Sequence, residues 1–130
     1  MNRILIVDDI SFVRKSLKQI LTSLGYEVVG EAMNGREAVE LYEQIQPDLV
    51  TMDLAMPIMN GIEATKEILK LDPAASIVIL TALTQENLAT DAILAGAKDY
   101  IVKPFLSSDV SRVLKQVIES SGGEAQQAYA

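Results

Sequence analysis

Asp53 closes the apolar run Leu49-Val50-Thr51-Met52 and leads into the loop Leu54-Ala55-Met56-Pro57-Ile58-Met59-Asn60-Gly61. A carboxylate at the end of a buried run is costly to desolvate, so it needs a compensating environment or a task. The pair Asp8-Asp9 closes a second apolar run, Ile4-Leu5-Ile6-Val7. Thr81 closes a third, Ile77-Val78-Ile79-Leu80, and Lys103 a fourth, Tyr100-Ile101-Val102. Carboxylates, a hydroxyl and an ammonium, each at the carboxyl end of an apolar run, are the parts needed to bind a hard cation and accept a phosphoryl group.

Something must bring these four strand ends together. Strand-like and helix-like segments alternate along the chain, with strands expected at Arg3–Asp8, Glu27–Ala32, Asp48–Asp53, Ser76–Thr81 and Lys98–Lys103. In the first intervening helix Val13, Leu17, Ile20, Leu21 and Leu24 share a face, and Gly25 suits its C-terminal cap. In the last, Val110, Val113, Leu114, Val117 and Ile118 keep helical spacing, with Ser107 or Ser108 as the expected N-cap. Pro47 and Pro73 follow the second and third helices, and Gly96 ends the fourth. Repeated βα units imply a parallel sheet with right-handed crossovers and helices on both faces.

Strands one, three and four are almost wholly apolar, as befits central positions. The second carries Glu27 and Glu31 and the fifth Lys98 and Asp99, which suits edges. The expected architecture is therefore α/β: a doubly wound (βα)5, flavodoxin-like fold with a five-stranded parallel sheet in the order 2-1-3-4-5. Strands one and three then meet at the topological switch point, where ligands bind. After Ser120 periodicity is lost, giving one domain over 1–120 and a flexible tail over 121–130.

Composition narrows the chemistry. The chain has 130 residues, 49% apolar, with a net charge of −7 and no basic run, which argues against nucleic acid or an anionic membrane as partner. It has no Cys and no His, so disulfides, imidazole bases and the usual zinc ligands are excluded. A bound metal would take oxygen ligands, favouring Mg²⁺, Mn²⁺ or Ca²⁺. Met1-Asn2-Arg3 enters a strand at once, so a cytoplasmic protein without a signal peptide is expected. Met52, Met56 and Met59 read as packing, because thioethers suit softer metals.

In the order 2-1-3-4-5, Asp8, Asp9 and Asp53 project from neighbouring strands about 4.8 Å apart. Two ionised carboxylates about 4 Å apart repel by roughly 4 kcal/mol at an effective dielectric near 20, so three of them call for a counterion. A divalent cation and Lys103 would supply it, leaving Asp53 to attack phosphorus in line, with Thr81 donating to the phosphoryl group.

These residues carry a resemblance. Val7-Asp8-Asp9, Asp53-Leu54-Ala55-Met56-Pro57 with Asn60-Gly61, Thr81-Ala82, and Gly96 to Phe105 with Lys103-Pro104 are similar, in order and interval, to the receiver domain of two-component response regulators, in particular the stand-alone chemotaxis type. The resemblance implies that Asp53 is phosphorylated from a histidine kinase's phosphohistidine. It implies Mg²⁺ on Asp9, Asp53 and the carbonyl of Ala55, with Asp8 acting through water. It further implies that Lys103 pairs with the phosphoryl group, that the Lys103-Pro104 bond is cis, and that Thr81 and Tyr100 form a switch. The switch would alter the face made by helix four, strand five and helix five, in a monomer whose target is a flagellar motor switch protein or a phosphorelay component. Ala55 and Leu83, both apolar at positions that vary in the family, imply slow self-dephosphorylation and a separate phosphatase.

Each residue also has a plainer reading. Asp9 with Ser11 could cap the first helix, Thr81 could be strand filling, Lys103-Pro104 a turn and Tyr100 packing. The alternative from another class is a haloacid dehalogenase-type Mg²⁺-dependent phosphatase, whose nucleophile stands in an Asp-x-Asp pattern on strand one; here that strand ends Asp8-Asp9-Ile10. A flavodoxin-type cofactor carrier would find Asp8-Asp9 repelling its phosphate.

Overall fold

A computed structural model describes residues 2–82 and 86–129. The elements alternate as β1 (Arg3–Val7), α1 (Ser11–Ser23), β2 (Glu27–Ala32), α2 (Gly35–Ile45), β3 (Leu49–Asp53), α3 (Gly61–Leu71), β4 (Ile77–Ala82), α4 (Glu86–Leu94), β5 (Asp99–Lys103) and α5 (Ser107–Tyr129). The five strands pair in parallel in the order β2-β1-β3-β4-β5. The charged strands β2 and β5 are the edges, as their sequences require.

Strand periodicity divides the core. Leu5, Val7, Val50, Met52, Ile77 and Ile79 face one way, against Ala38 and Tyr42 of α2, Ala64 and Ile68 of α3 and Ala92 of α4. Ile4, Ile6, Leu49, Val78, Leu80 and Ile101 face the other way, against Leu17 and Leu21 of α1 and Val110, Leu114 and Val117 of α5. Each large aliphatic side chain fully buried in this way contributes roughly 1.5–3 kcal/mol.

The ladder between β1 and β2 has one irregularity. Ile4 pairs with Val28, but Leu5 pairs with Gly30, so Val29 is bulged out. Beyond the bulge Ile6 lies opposite Glu31, which turns Glu31 toward the α1 side of the sheet.

Helix ends follow local chemistry. Gly25, at φ +93°, closes α1 while Tyr26 N donates to Leu21 O at 2.9 Å. Asn34 and Asn60 cap α2 and α3, accepting from Glu37 N and Glu63 N at 2.9 Å each. At α5 the expected serine cap is replaced: Asp109 accepts from Leu106 N at 2.9 Å across the first turn. The same helix continues to Tyr129, past Ser120, after which helical periodicity is expected to be lost. Adding a residue to an existing helix costs far less than nucleating one, and Glu124-Ala125-Gln126-Gln127-Ala128 are good helix formers.

Candidate functional site

The switch point between β1 and β3 gathers the acidic residues. Carboxylate oxygens of Asp8, Asp9 and Asp53 lie within 4.8 Å of one another. Asp8 and Asp53 are buried, whereas Asp9 is exposed at the mouth. Lys103 reaches them from β5, its Nζ 2.8 Å from Asp8 Oδ2 and 3.1 Å from Asp53 Oδ1.

Asp8 is held at every polar group. Its N donates to Ala32 O at 3.0 Å, and its Oδ1 accepts from Ile10 N at 2.9 Å. Its carbonyl accepts from Arg14 Nη1 at 2.7 Å, and Arg14 Nε donates to Glu31 Oε1 at 3.2 Å. Neither Arg14 nor Glu31 stood out as a site residue in the sequence, because only the bulge in β2 brings them together. At the N-terminus of α1 the cap position is Ile10 and no side chain caps it. Asp9 and Ser11 therefore do not serve as the cap.

The loop after Asp53 is tightly constrained. A Cβ on Gly61 would stand 2.1 Å from Asp53 O, and one on Gly35 would stand 2.4 Å from Met59 O. Only glycine fits where α3 begins against the end of β3 and where α2 begins against the loop. Between them Met59 N donates to Pro57 O at 2.7 Å, closing a γ-turn around Ile58, whose φ is +69°. Asp53 is thus followed by a fixed turn.

The electrostatics follow from this crowding. Burial pushes the Asp53 carboxyl up to about 6, and the nearby charges of Asp8 and Asp9 push the same way, while Lys103 opposes them. Burial alone would lower the Lys103 ammonium, but its hydrogen bond to Asp8 and the charges of Asp53 and Asp8 outweigh this and raise it. The pocket therefore carries excess negative charge in hard oxygen donors, a donor set that fits Mg²⁺.

The remaining candidates lie around this pocket. Thr81 is buried near the end of β4, where its hydroxyl donates to Ala82 O at 3.3 Å. Thr81 pairs with Val102, and Tyr100 lies two residues earlier, opposite Ile79, on the α4 side of the sheet. Thr81 and Tyr100 line a groove of about 520 Å³ with Ala89, Ile93 and Leu94 of α4, and Tyr100 is 46% exposed. The Lys103-Pro104 bond is cis. Ala55 is exposed beside Asp9 at the rim of the pocket. Leu83 lies outside the described residues.

Residues 4–122 match the family described as response regulator receiver domain. The chain belongs to that family. This receiver is 57% identical over 115 residues to the chemotaxis protein CheY of Thermotoga maritima, covering 88% of this chain and 96% of the relative. It is 50% identical over 117 residues to CheY of Bacillus subtilis, covering 90% and 98%. A solved structure of a CheX–CheY–BeF3–Mg complex from Borrelia burgdorferi superposes with a TM-score of 0.81 at 38% identity, covering 91% of this chain and 87% of that one. The receiver is a phosphorylation-activated switch of a two-component system, of the stand-alone CheY type, and this displaces the dehalogenase-type phosphatase reading. Receiver domains take their phosphoryl group from a histidine kinase and bind Mg²⁺ at an acidic pocket. Among the described residues no helix is long and apolar enough to cross a membrane.

Proposed function

We propose that Asp53 is the phosphoryl acceptor of this receiver. The reading rests on one observation: Asp53 is a buried carboxylate with an ammonium at 3.1 Å and two further carboxylates in the same pocket. One Asp53 oxygen attacks phosphorus in line, forming an O–P bond as the P–N bond to the kinase's imidazole breaks. The released electron pair returns to the imidazole nitrogen. Lys103, already within reach of Asp53, pairs with phosphoryl oxygens as they move in. Asp8, Asp9, Asp53 and the carbonyl of Ala55 would hold Mg²⁺, with Asp8 acting through water. The ion would supply the positive charge that lets an anionic nucleophile meet an anionic phosphoryl group.

The Thr81 hydroxyl leaves Ala82 O for the phosphoryl group, and Tyr100 turns from solvent into the groove beneath α4. The face built from α4, β5 and α5 then changes its affinity for a partner, a shift between two existing arrangements. The 45–57% identity to chemotaxis proteins supports flagellar motor control as the output, and a phosphorelay role is the second reading. The CheX complex of the Borrelia relative supports a further protein partner that binds this type of receiver. Residues 1–120 form the receiver unit, acting as a cytoplasmic monomer, with 121–130 as its appendage.

Acetyl phosphate with Mg²⁺ tests the reading. Intact mass should rise by about 80 Da, the mass of one phosphoryl group, and Asp53→Asn should abolish the adduct. A wild-type protein that gains no mass, or a variant that still does, overturns it. Capture on a motor switch protein or on a histidine phosphotransfer protein, with and without beryllofluoride, separates the two outputs.

A further inference from the structure

We infer that Arg14 is a positioning residue for the acidic pocket and that Glu31 orients it. Arg14 bridges three elements. Its backbone belongs to α1, its Nη1 holds the carbonyl of Asp8 just past β1 at 2.7 Å, and its Nε holds Glu31 of β2 at 3.2 Å. Its side chain is only 13% exposed, so this cation is largely removed from water, and its Nε and Nη1 donors are both committed.

The carbonyl it holds belongs to the residue that anchors the pocket. Asp8 Oδ2 is taken by Lys103 and Oδ1 by Ile10 N, which ties the β1–α1 turn from one side, and the Arg14 bond to the carbonyl ties the same turn to α1 and β2. Asp9, the exposed carboxylate, is the next residue along. Its position at the mouth is therefore set by the peptide that Arg14 grips. A mobile turn here would spread the three carboxylates and lower their shared affinity for a cation.

Glu31 reaches Arg14 because of the bulge at Val29. In an unbroken register Gly30 would lie opposite Ile6 and Glu31 would turn to the α2 side, away from α1. The insertion of one residue therefore has a use: it directs the Glu31 carboxylate to the guanidinium. Lys18, 3.7 Å from the other Glu31 oxygen and more exposed, adds only a loose second contact. Lysine at position 14 would keep the charge but not the planar fork that spans Asp8 O and Glu31 at once.

This inference rests on the acidic pocket binding Mg²⁺, and titration of metal-free protein with magnesium chloride by calorimetry tests both. Arg14→Lys should weaken the Mg²⁺ dissociation constant about tenfold, as loss of a residue that orients metal ligands commonly does. Glu31→Gln should weaken it several-fold. Urea unfolding of metal-free protein supplies the control, because a purely structural Arg14 would lower stability and leave Mg²⁺ affinity unchanged. Both variants binding Mg²⁺ within twofold of a wild type that binds normally overturns the role of Arg14 alone. A wild type that does not bind Mg²⁺ overturns the pocket reading, and the inference with it.

Discussion

The Lys103 ammonium lies 3.1 Å from the Asp53 carboxylate, although the two residues are 50 positions apart and sit on strands separated by β4. The same nitrogen is 2.8 Å from Asp8. One cation thus compensates two buried anions.

Lys103→Met should therefore lower stability by about 2–4 kcal/mol in metal-free buffer at pH 7.5, because removing one partner strands buried charge. Urea unfolding measures this. In an Asp53→Asn background the same change should cost at least about 1 kcal/mol less, since one of the stranded carboxylates is then gone. Equal costs in the two backgrounds would show that Lys103 is not coupled to Asp53.

Asp53 holds its proton more tightly in the folded chain, at about 6 against an ordinary 3.8. Its contribution to folding is fully present below pH 4 and is lost as pH rises through 6. Above that, the folded state must hold an ionised Asp53 that the unfolded chain ionises freely. Asp53→Asn should therefore be more stable than wild type at pH 7.5 without metal. The gain should be about 1–2 kcal/mol after screening by water at the pocket mouth, and it should shrink toward zero by pH 4. Denaturation series at the two pH values check the sign.

Ile58 is 73% exposed and sits at φ +69° in a γ-turn, so a β-branched side chain is strained there with little burial in return. Ile58→Gly should raise stability by about 1 kcal/mol, the relief of strain exceeding glycine's entropy cost. A drop in the urea midpoint would show that the side chain is held by contacts that outweigh the strain.

Gly61→Ala would place a methyl group 2.1 Å from Asp53 O, a backbone atom that cannot turn aside. The loop must shift and take Asp53 with it. Phosphorylation by acetyl phosphate should slow by at least about tenfold, a loss of roughly 1.4 kcal/mol in barrier terms. An unchanged rate would show that the loop moves independently of Asp53.

Ala55 presents no polar side chain at the mouth of the pocket. Ala55→Asn would add an amide able to hold the water that attacks the acyl phosphate. One hydrogen bond worth about 1 kcal/mol in the transition state is about fivefold in rate, so decay of the phosphorylated protein should quicken by that factor. Mass spectrometry over time measures it.

The strand ends were legible because desolvation is so costly. Asp8, Asp53 and Lys103 at the ends of apolar runs had to meet one another or something else, and they do meet. Strand order was legible from the charges on β2 and β5, which only edges tolerate. The Arg14–Glu31 contact was not, because it depends on a one-residue bulge that leaves no mark on hydrophobic periodicity. The N-terminus of α5 was misread because a serine and an aspartate can both satisfy free amides, and only the traced turn shows that Asp109 does so. The extent of α5 was missed because Gly122-Gly123 disfavours a helix locally without forbidding its continuation.

Odd and even positions along the strands have a final consequence. Leu80 and Ile101 pack on the α1–α5 side, which also assigns Asp53 and Lys103 to it, while Ile79 and Thr81 alternate onto the α4 side with Tyr100. The proposed phosphoryl acceptor and the tyrosine that would report it are thus insulated from each other by the thickness of a backbone layer. News of the modification must travel around the rim where β4 stops.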